Sequence, residues 1–187
     1  GSKESRRITP PPGSHSCRIR FLPPELLSIK TAISLHGMTQ VRCEVTGVFV
    51  AMGEKTTVPL VVLSDGSNRM LPIFIGIWEA ISINSARNKE IFPRPFTHDL
   101  FLDLCGKFSI TFRFLQIDSL EDGVYYAQLV LSRDQHEEYL DCRPSDGIAL
   151  ALRGDIPIFV DESVLAAAGQ NRDNFPAMVD LTTFMQK

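Results

Sequence analysis

The chain has 187 residues, 44% apolar and 22% charged, the balance of an ordinary globular protein and a length that suits one domain with an appendage. Charge divides unevenly: residues 1–37 hold six Lys and Arg against two acids (6 − 2 = +4), and residues 38–187 hold thirteen against twenty (13 − 20 = −7). Any nucleic acid on the larger part must therefore meet a local basic site against an opposing global field, and no apolar run approaches the roughly 20 residues that cross a bilayer, so no membrane span is expected.

Residues 1–37 form a basic, Pro- and Ser-rich extension with Pro10-Pro11-Pro12 and Pro23-Pro24, and no signal peptide is visible in it. Within it residues 24–36 suit a short helix: Pro24 fits the first turn, Leu26, Ile29 and Ile33 share a face, and Gly37 fits the stop. Met38 marks a boundary, and one reading makes it the natural start. A main domain over residues 38–169 follows, then a tail, 170–187, too irregular to assign. Apolar alternation predicts strands at 40–51 and 57–64. Asp65-Gly66 is a hairpin signal leading into a strand at 69–75. Gly76 breaks that strand, and 77–89 reads as a helix. After Pro93 and Pro95, Thr97 caps a helix to about Leu104, with Gly106 as its stop. Next come a strand at 108–117, a turn at Glu121-Asp122-Gly123, and strands at 124–132 and 137–142 joined around Asp134. A helix at 144–153, a short buried strand at 157–160, and a helix opened by Asp161 and ended by Gly169 complete the domain. Strand, strand, strand, helix thus occurs twice, over 40–89 and 108–153. Val58 against Tyr126, Arg69 against Glu137 and Gly76 against Pro144 share one offset (144 − 76 = 68). Residue identity between the halves is negligible, so this weak pseudo-repeat is one of topology.

Several signatures are absent. There is no Gly-rich phosphate loop, no dinucleotide fingerprint and no nucleophile elbow. His136-Glu137-Glu138 starts like a zinc protease motif, but Leu140 stands where the second ligand belongs. Cys17, Cys43, Cys105 and Cys142 are scattered without a Cys-x-x-Cys pair, which argues against a zinc site, a redox pair or a disulfide scaffold and fits a cytoplasmic protein.

Two polar clusters remain at strand-to-helix junctions: Pro93-Arg94-Pro95-Phe96-Thr97-His98-Asp99-Leu100 and Asp141-Cys142-Arg143-Pro144-Ser145-Asp146-Gly147. Phosphodiester cleavage needs carboxylates for Mg²⁺ or Mn²⁺, a base for water and a cation for the pentavalent charge. Glu79, Asp99, Asp141 and Asp146 supply carboxylates, His98 an imidazole, the side chain whose unperturbed pKa suits a base near neutrality, and Arg94 and Arg143 bidentate phosphate ligands. Each also has a plainer reading. Acids in a first helical turn favour the helix dipole, so each alone reads more readily as a cap than as a catalyst. Arg143 reads as a salt-bridge partner, Asp141 as a solvent-facing strand residue, Trp78 as core or interface, and Cys142 as a small buried residue. What favours chemistry is coincidence: four acids, two arginines and one histidine fall near helix starts, where backbone amides also attract anions.

These two clusters, with Leu71-Pro72-Ile73-Phe74-Ile75-Gly76-Ile77-Trp78-Glu79-Ala80, Asp122-Gly123-Val124-Tyr125-Tyr126-Ala127 and Pro157-Ile158-Phe159-Val160, closely resemble the bifunctional nuclease domain family. The resemblance covers about residues 40–168. It implies an α+β fold with a mixed, strongly curved sheet flanked by helices, usually dimeric, and cleavage of both DNA and RNA. Glu79, Arg94, Thr97, His98, Asp99, Asp141, Arg143, Ser145 and Asp146 occupy the family's motif positions, while Gly147 and Cys142 stand where Ala is common. The expected function is a metal-dependent nuclease of low sequence specificity. His98, Asp99, Asp146, Arg143 and Glu79 are its catalytic set; Arg94, Thr97 and Ser145 contact substrate; Asp99, Asp141 and Asp146 hold Mg²⁺ or Mn²⁺. Its partners are nucleic acid, single strands or short fragments before long duplex, and a second copy of the chain. The competing expectation is a non-enzymatic dimeric module that holds a small anion or a protein partner at the same helix starts.

Overall fold

The computed structural model describes residues 39–53, 56–134, 136–175 and 178–186. The expected extension and its helix at 24–36 lie outside the described residues. Three strands open the fold: β1 Gln40–Met52, β2 Thr57–Ser64 and β3 Arg69–Phe74, an antiparallel meander. Asp65 closes the β2–β3 turn, its carboxylate accepting from the Ser67 N–H at 2.9 Å while Gly66 takes the left-handed conformation at φ 79°. Helices α1 Ile77–Arg87 and α2 Thr97–Lys107 follow. A second antiparallel meander is built from β4 Thr111–Glu121, β5 Val124–Arg133 and β6 His136–Cys142. Its β4–β5 turn is Asp122-Gly123, with φ of 50° and 80°, the backbone that suits the twist of a two-residue hairpin. Helix α3 Pro144–Gly154, strand β7 Ile158–Asp161 and helix α4 Glu162–Ala168 come next.

The order strand, strand, strand, helix therefore occurs twice, as β1-β2-β3-α1 and β4-β5-β6-α3. The short strand β7 joins the two meanders: it runs antiparallel to β1 and parallel to β4. The result is one open mixed sheet in the order β6-β5-β4-β7-β1-β2-β3, so the fold is α+β. Bulges interrupt β1 between Val45 and Gly47 and β4 on both sides of Phe114–Ile117, places where a strand bends.

The tail left unassigned by sequence carries short elements that close onto this sheet. Strand β8 Gln170–Asn171 pairs with β3, strand β9 Met178–Asp180 pairs with β1, and helix α5 Leu181–Met185 follows. Leu181 is fully buried, and Asn84 of α1 donates to the Thr182 hydroxyl at 3.1 Å. Such short elements have no period to read; pairing with β3 and β1 holds them.

Two further boundaries differ from expectation. Helix α2 runs through Gly106 to Lys107, and the left-handed residue that ends the turn is Ser109, φ 57°. Strand β4 accordingly begins at Thr111 and extends to Glu121.

The core lies between the sheet and the helices, with Leu63, Leu71, Ile83, Leu115, Ile117, Leu129, Ile148 and Leu165 at its centre. Helix α3 sits close on β4 because Gly147 has no side chain; a Cβ there would collide with Leu115. That close seat sets the level of the α3 N-terminus. No helix among the described residues is long and apolar enough to cross a membrane.

Candidate functional site

Helices α1, α2 and α3 begin in the same way. Gly76, Phe96 and Arg143 are extended capping residues, and the third helical residue of each helix is an acid: Glu79, Asp99 and Asp146. A carboxylate at that position faces the free N–H groups of the first turn. Asp99 uses it as a cap, accepting from the Phe96 N–H at 2.9 Å, so Asp99 and not Thr97 caps α2. Pro144 at the first position of α3 presets the helical backbone and loses no hydrogen bond there. At Gly76 the missing Cβ leaves room for the Glu79 carboxylate, which folds back over it.

Packing brings the three starts together. Arg143 grips Asp146 with two hydrogen bonds, Nε to Oδ2 at 2.7 Å and Nη2 to Oδ1 at 3.0 Å. Its third nitrogen, Nη1, donates to Glu79 Oε1 of α1 at 3.0 Å. The Arg143 side chain remains 65% exposed, so its outer face is open to solvent. From α2, His98 Nε2 lies 3.4 Å from Asp146 Oδ1, and His98 Nδ1 lies 3.1 Å from the Ser82 hydroxyl of α1. The tautomer with Nε2–H toward Asp146 and Nδ1 accepting from Ser82 satisfies both contacts. Beneath this chain of contacts, Arg153 of α3 donates to Asp99 Oδ1 at 2.8 Å and to the Ser82 and Ala149 carbonyls at 3.2 and 3.1 Å.

The electrostatics follow from these pairs. Burial alone would raise the Asp146 pKa; the hydrogen bonds and charge of Arg143, with His98 adding to them, outweigh it and hold the carboxyl below its ordinary value. The same hydrogen bonds to Asp146 push the Arg143 pKa upward, so its guanidinium is charged throughout. Cys142 behaves oppositely: burial first, then the charges of Asp141 and Asp146, push its thiol up to about 12, so it is no nucleophile at neutral pH.

Glu79, His98, Asp99, Arg143 and Asp146 are thus gathered, and four other residues expected at the site are not. Asp141 faces solvent on β6, opposite Gln128. Arg94 and Thr97 are exposed, and among the described residues Arg94 forms no ion pair. Ser145 is only 7% exposed, which leaves little of it for a substrate. Ser82 and Arg153 belong to the cluster and were not singled out from sequence. The available signal was helical spacing: Ser82 follows Glu79 by three residues, and Arg153 follows Asp146 by seven.

A divalent cation does not fit this arrangement. Mg²⁺ needs near-octahedral oxygen ligation. Here Asp146 and Glu79 answer to Arg143, and Asp99 to Arg153. Among the described residues no three of His, Cys, Asp and Glu are placed to share a metal ion. Asp99, Asp141 and Asp146 do not form the expected metal triad, because two of them are turned to arginines and the third lies out on a strand.

The bifunctional nuclease domain profile matches residues 61–173. An uncharacterised protein of Mycobacterium tuberculosis (strain ATCC 25618 / H37Rv) is 37% identical over 127 residues, which cover 67% of this chain and 76% of that protein. Bifunctional nuclease 1 of Oryza sativa subsp. japonica is 29% identical over 105 residues, 54% of this chain and 32% of its own length. Bifunctional nuclease 1 of Arabidopsis thaliana is 28% identical over 116 residues, 59% of this chain and 36% of its own length. The chain belongs to the bifunctional nuclease domain family. It spans about a third of the length of those two plant relatives.

Proposed function

We propose that this chain hydrolyses phosphodiester bonds in RNA and DNA at the Glu79–Arg143–Asp146–His98 cluster. The observation that carries this reading is the meeting of two helix starts on one exposed guanidinium, with a histidine from a third helix start against Asp146. Backbone amides at helix starts favour an anion, and a phosphate can take the outer face of Arg143. His98 moves a proton between water and the leaving oxygen through Nε2, whose 3.4 Å approach to Asp146 is the looser of its two contacts and yields to substrate, with Nδ1–H then donating to the Ser82 hydroxyl. No step is assigned to a metal, since the acids that would hold it are engaged by arginines.

The test is cleavage of labelled single-stranded RNA and DNA with Mg²⁺, with Mn²⁺ and with EDTA, beside His98→Ala. Cutting that survives EDTA and falls by about a hundredfold or more in the variant is the expected result. An unchanged rate in His98→Ala removes this site from the reaction. Cutting that EDTA abolishes would mean that a cation displaces Arg143 from its acids. No cutting under any condition moves the assignment to an anion-binding module.

We also infer that two copies pair through α2. Phe96, Leu100, Leu104 and Phe108 are exposed and spaced four residues apart, from the residue that caps its start to the one that caps its end. The order Phe-Leu-Leu-Phe reads alike in both directions. An antiparallel second copy therefore meets Phe with Phe and Leu with Leu, the self-complementarity that a two-fold interface requires.

A further inference from the structure

The cluster has little charge to attract a polyanion. Leaving His98 aside, it holds two guanidinia against three carboxylates (2 − 3 = −1), and residues 38–187 carry −7. Counterion release, the usual source of nucleic-acid affinity, has little to work with here. Affinity must come from another interaction, and two exposed aromatic side chains close to Glu79 in sequence offer it. Trp78 is 77% exposed and Phe74, four residues earlier, is 62% exposed. Trp78, expected in the core or at an interface, stands in the first turn of α1, one residue before Glu79 and four before Ser82. Residues four apart share a helix face, so Trp78 stands one turn beyond Ser82, the residue that holds His98. Glu79, its neighbour in sequence, holds Arg143.

We propose that Trp78, with Phe74, is a stacking platform for the unpaired bases of a single-stranded nucleic acid. It deepens the phosphodiesterase reading and rests on it for the ligand class. A base stacked on Trp78 brings its own phosphate within reach of the Arg143 guanidinium and the His98 ring. Stacking tolerates any sequence, because every base has a face to offer. A duplex keeps its bases stacked on each other and has none free. The platform therefore selects single strands, and binding weakens only slightly as salt rises.

Trp78 is the sole tryptophan of the chain, so its fluorescence reports this one place. The experiment titrates the His98→Ala chain, in EDTA, with short single-stranded RNA and DNA and with a duplex of the same sequence. Single strands quench Trp78 to saturation, and the duplex does not. A labelled strand followed by anisotropy binds Trp78→Ala about tenfold or more weakly, while Trp78→Phe retains most of the affinity. Unchanged melting temperatures establish that both variants are folded. Equal binding by Trp78→Ala overturns the platform, as does equal quenching by duplex. Emission that shifts with protein concentration alone also overturns it, since the ring is then covered by a second copy. Cleavage by the unaltered chain, run in parallel, separates the two readings. Cutting without quenching leaves the phosphodiesterase and removes the platform; quenching without cutting does the reverse.

Discussion

Asp146 is the residue on which the site turns. It takes two hydrogen bonds from Arg143, faces His98, and stands in the first turn of α3. Its depressed pKa makes it a source of stability with a definite pH window. The contribution is complete above the ordinary carboxylate pKa and is lost as the pH falls through the lower folded-state value. Asp146→Asn should therefore be less stable than the parent at neutral pH, with the gap closing in strong acid. Urea midpoints of both chains across a pH series check this, and a gap that stays constant into acid refutes it. The carboxylates at 79, 99 and 146 were legible as cap or catalyst from sequence alone. Which of the two they serve was not, because Arg143 and Arg153 reach Glu79 and Asp99 from another element.

At the scale of elements, α2 links the site to the surface. Its first turn carries His98 and Asp99, and its outer face carries the apolar stripe. The stripe has helical spacing, yet periodicity alone assigns such a face to the core. The structure leaves it in water because α2 meets its neighbours through the opposite face, where Phe101 packs edge-on against Phe112 with ring centroids 6.0 Å apart. Leu100→Glu combined with Leu104→Glu should leave the fold intact and reduce the mass seen by light scattering from two chains to one. A parent chain that is single at every concentration rules out the pairing. Strands β2, β5 and β6 lie almost where alternation placed them. The end of α2 does not, because a helical Gly106 costs only about 1 kcal/mol, which packing readily offsets.

For the whole molecule, β7 is the piece that makes one sheet from two meanders. It is four residues long, yet it meets both β1 and β4. The chain then returns past β3 and closes on β1 with β9 and α5. Leu181, at the start of α5, has no exposed surface and packs into the core shared by both halves. Leu181→Ala should cost about 2–5 kcal/mol, read as a lower denaturant midpoint. A loss under about 0.5 kcal/mol, typical of surface positions, would show that the closing segment is dispensable.

Sequence by itself determined the strands and helices that have a period, the hairpin turns at Asp65-Gly66 and Asp122-Gly123, the two-fold repetition of strand, strand, strand, helix, and the family. These are local properties: alternation, backbone freedom and capping act within a few residues of chain. Tertiary structure alone decided that Glu79 meets Arg143 and His98 meets Asp146 while Asp141 stays outside, that Arg153 and Ser82 belong to the site, and that Trp78 stands in water. Each of those depends on how α1, α2 and α3 are seated on the sheet. That seating is set by contacts between residues far apart in the chain, such as Gly147 against Leu115, which no local pattern records.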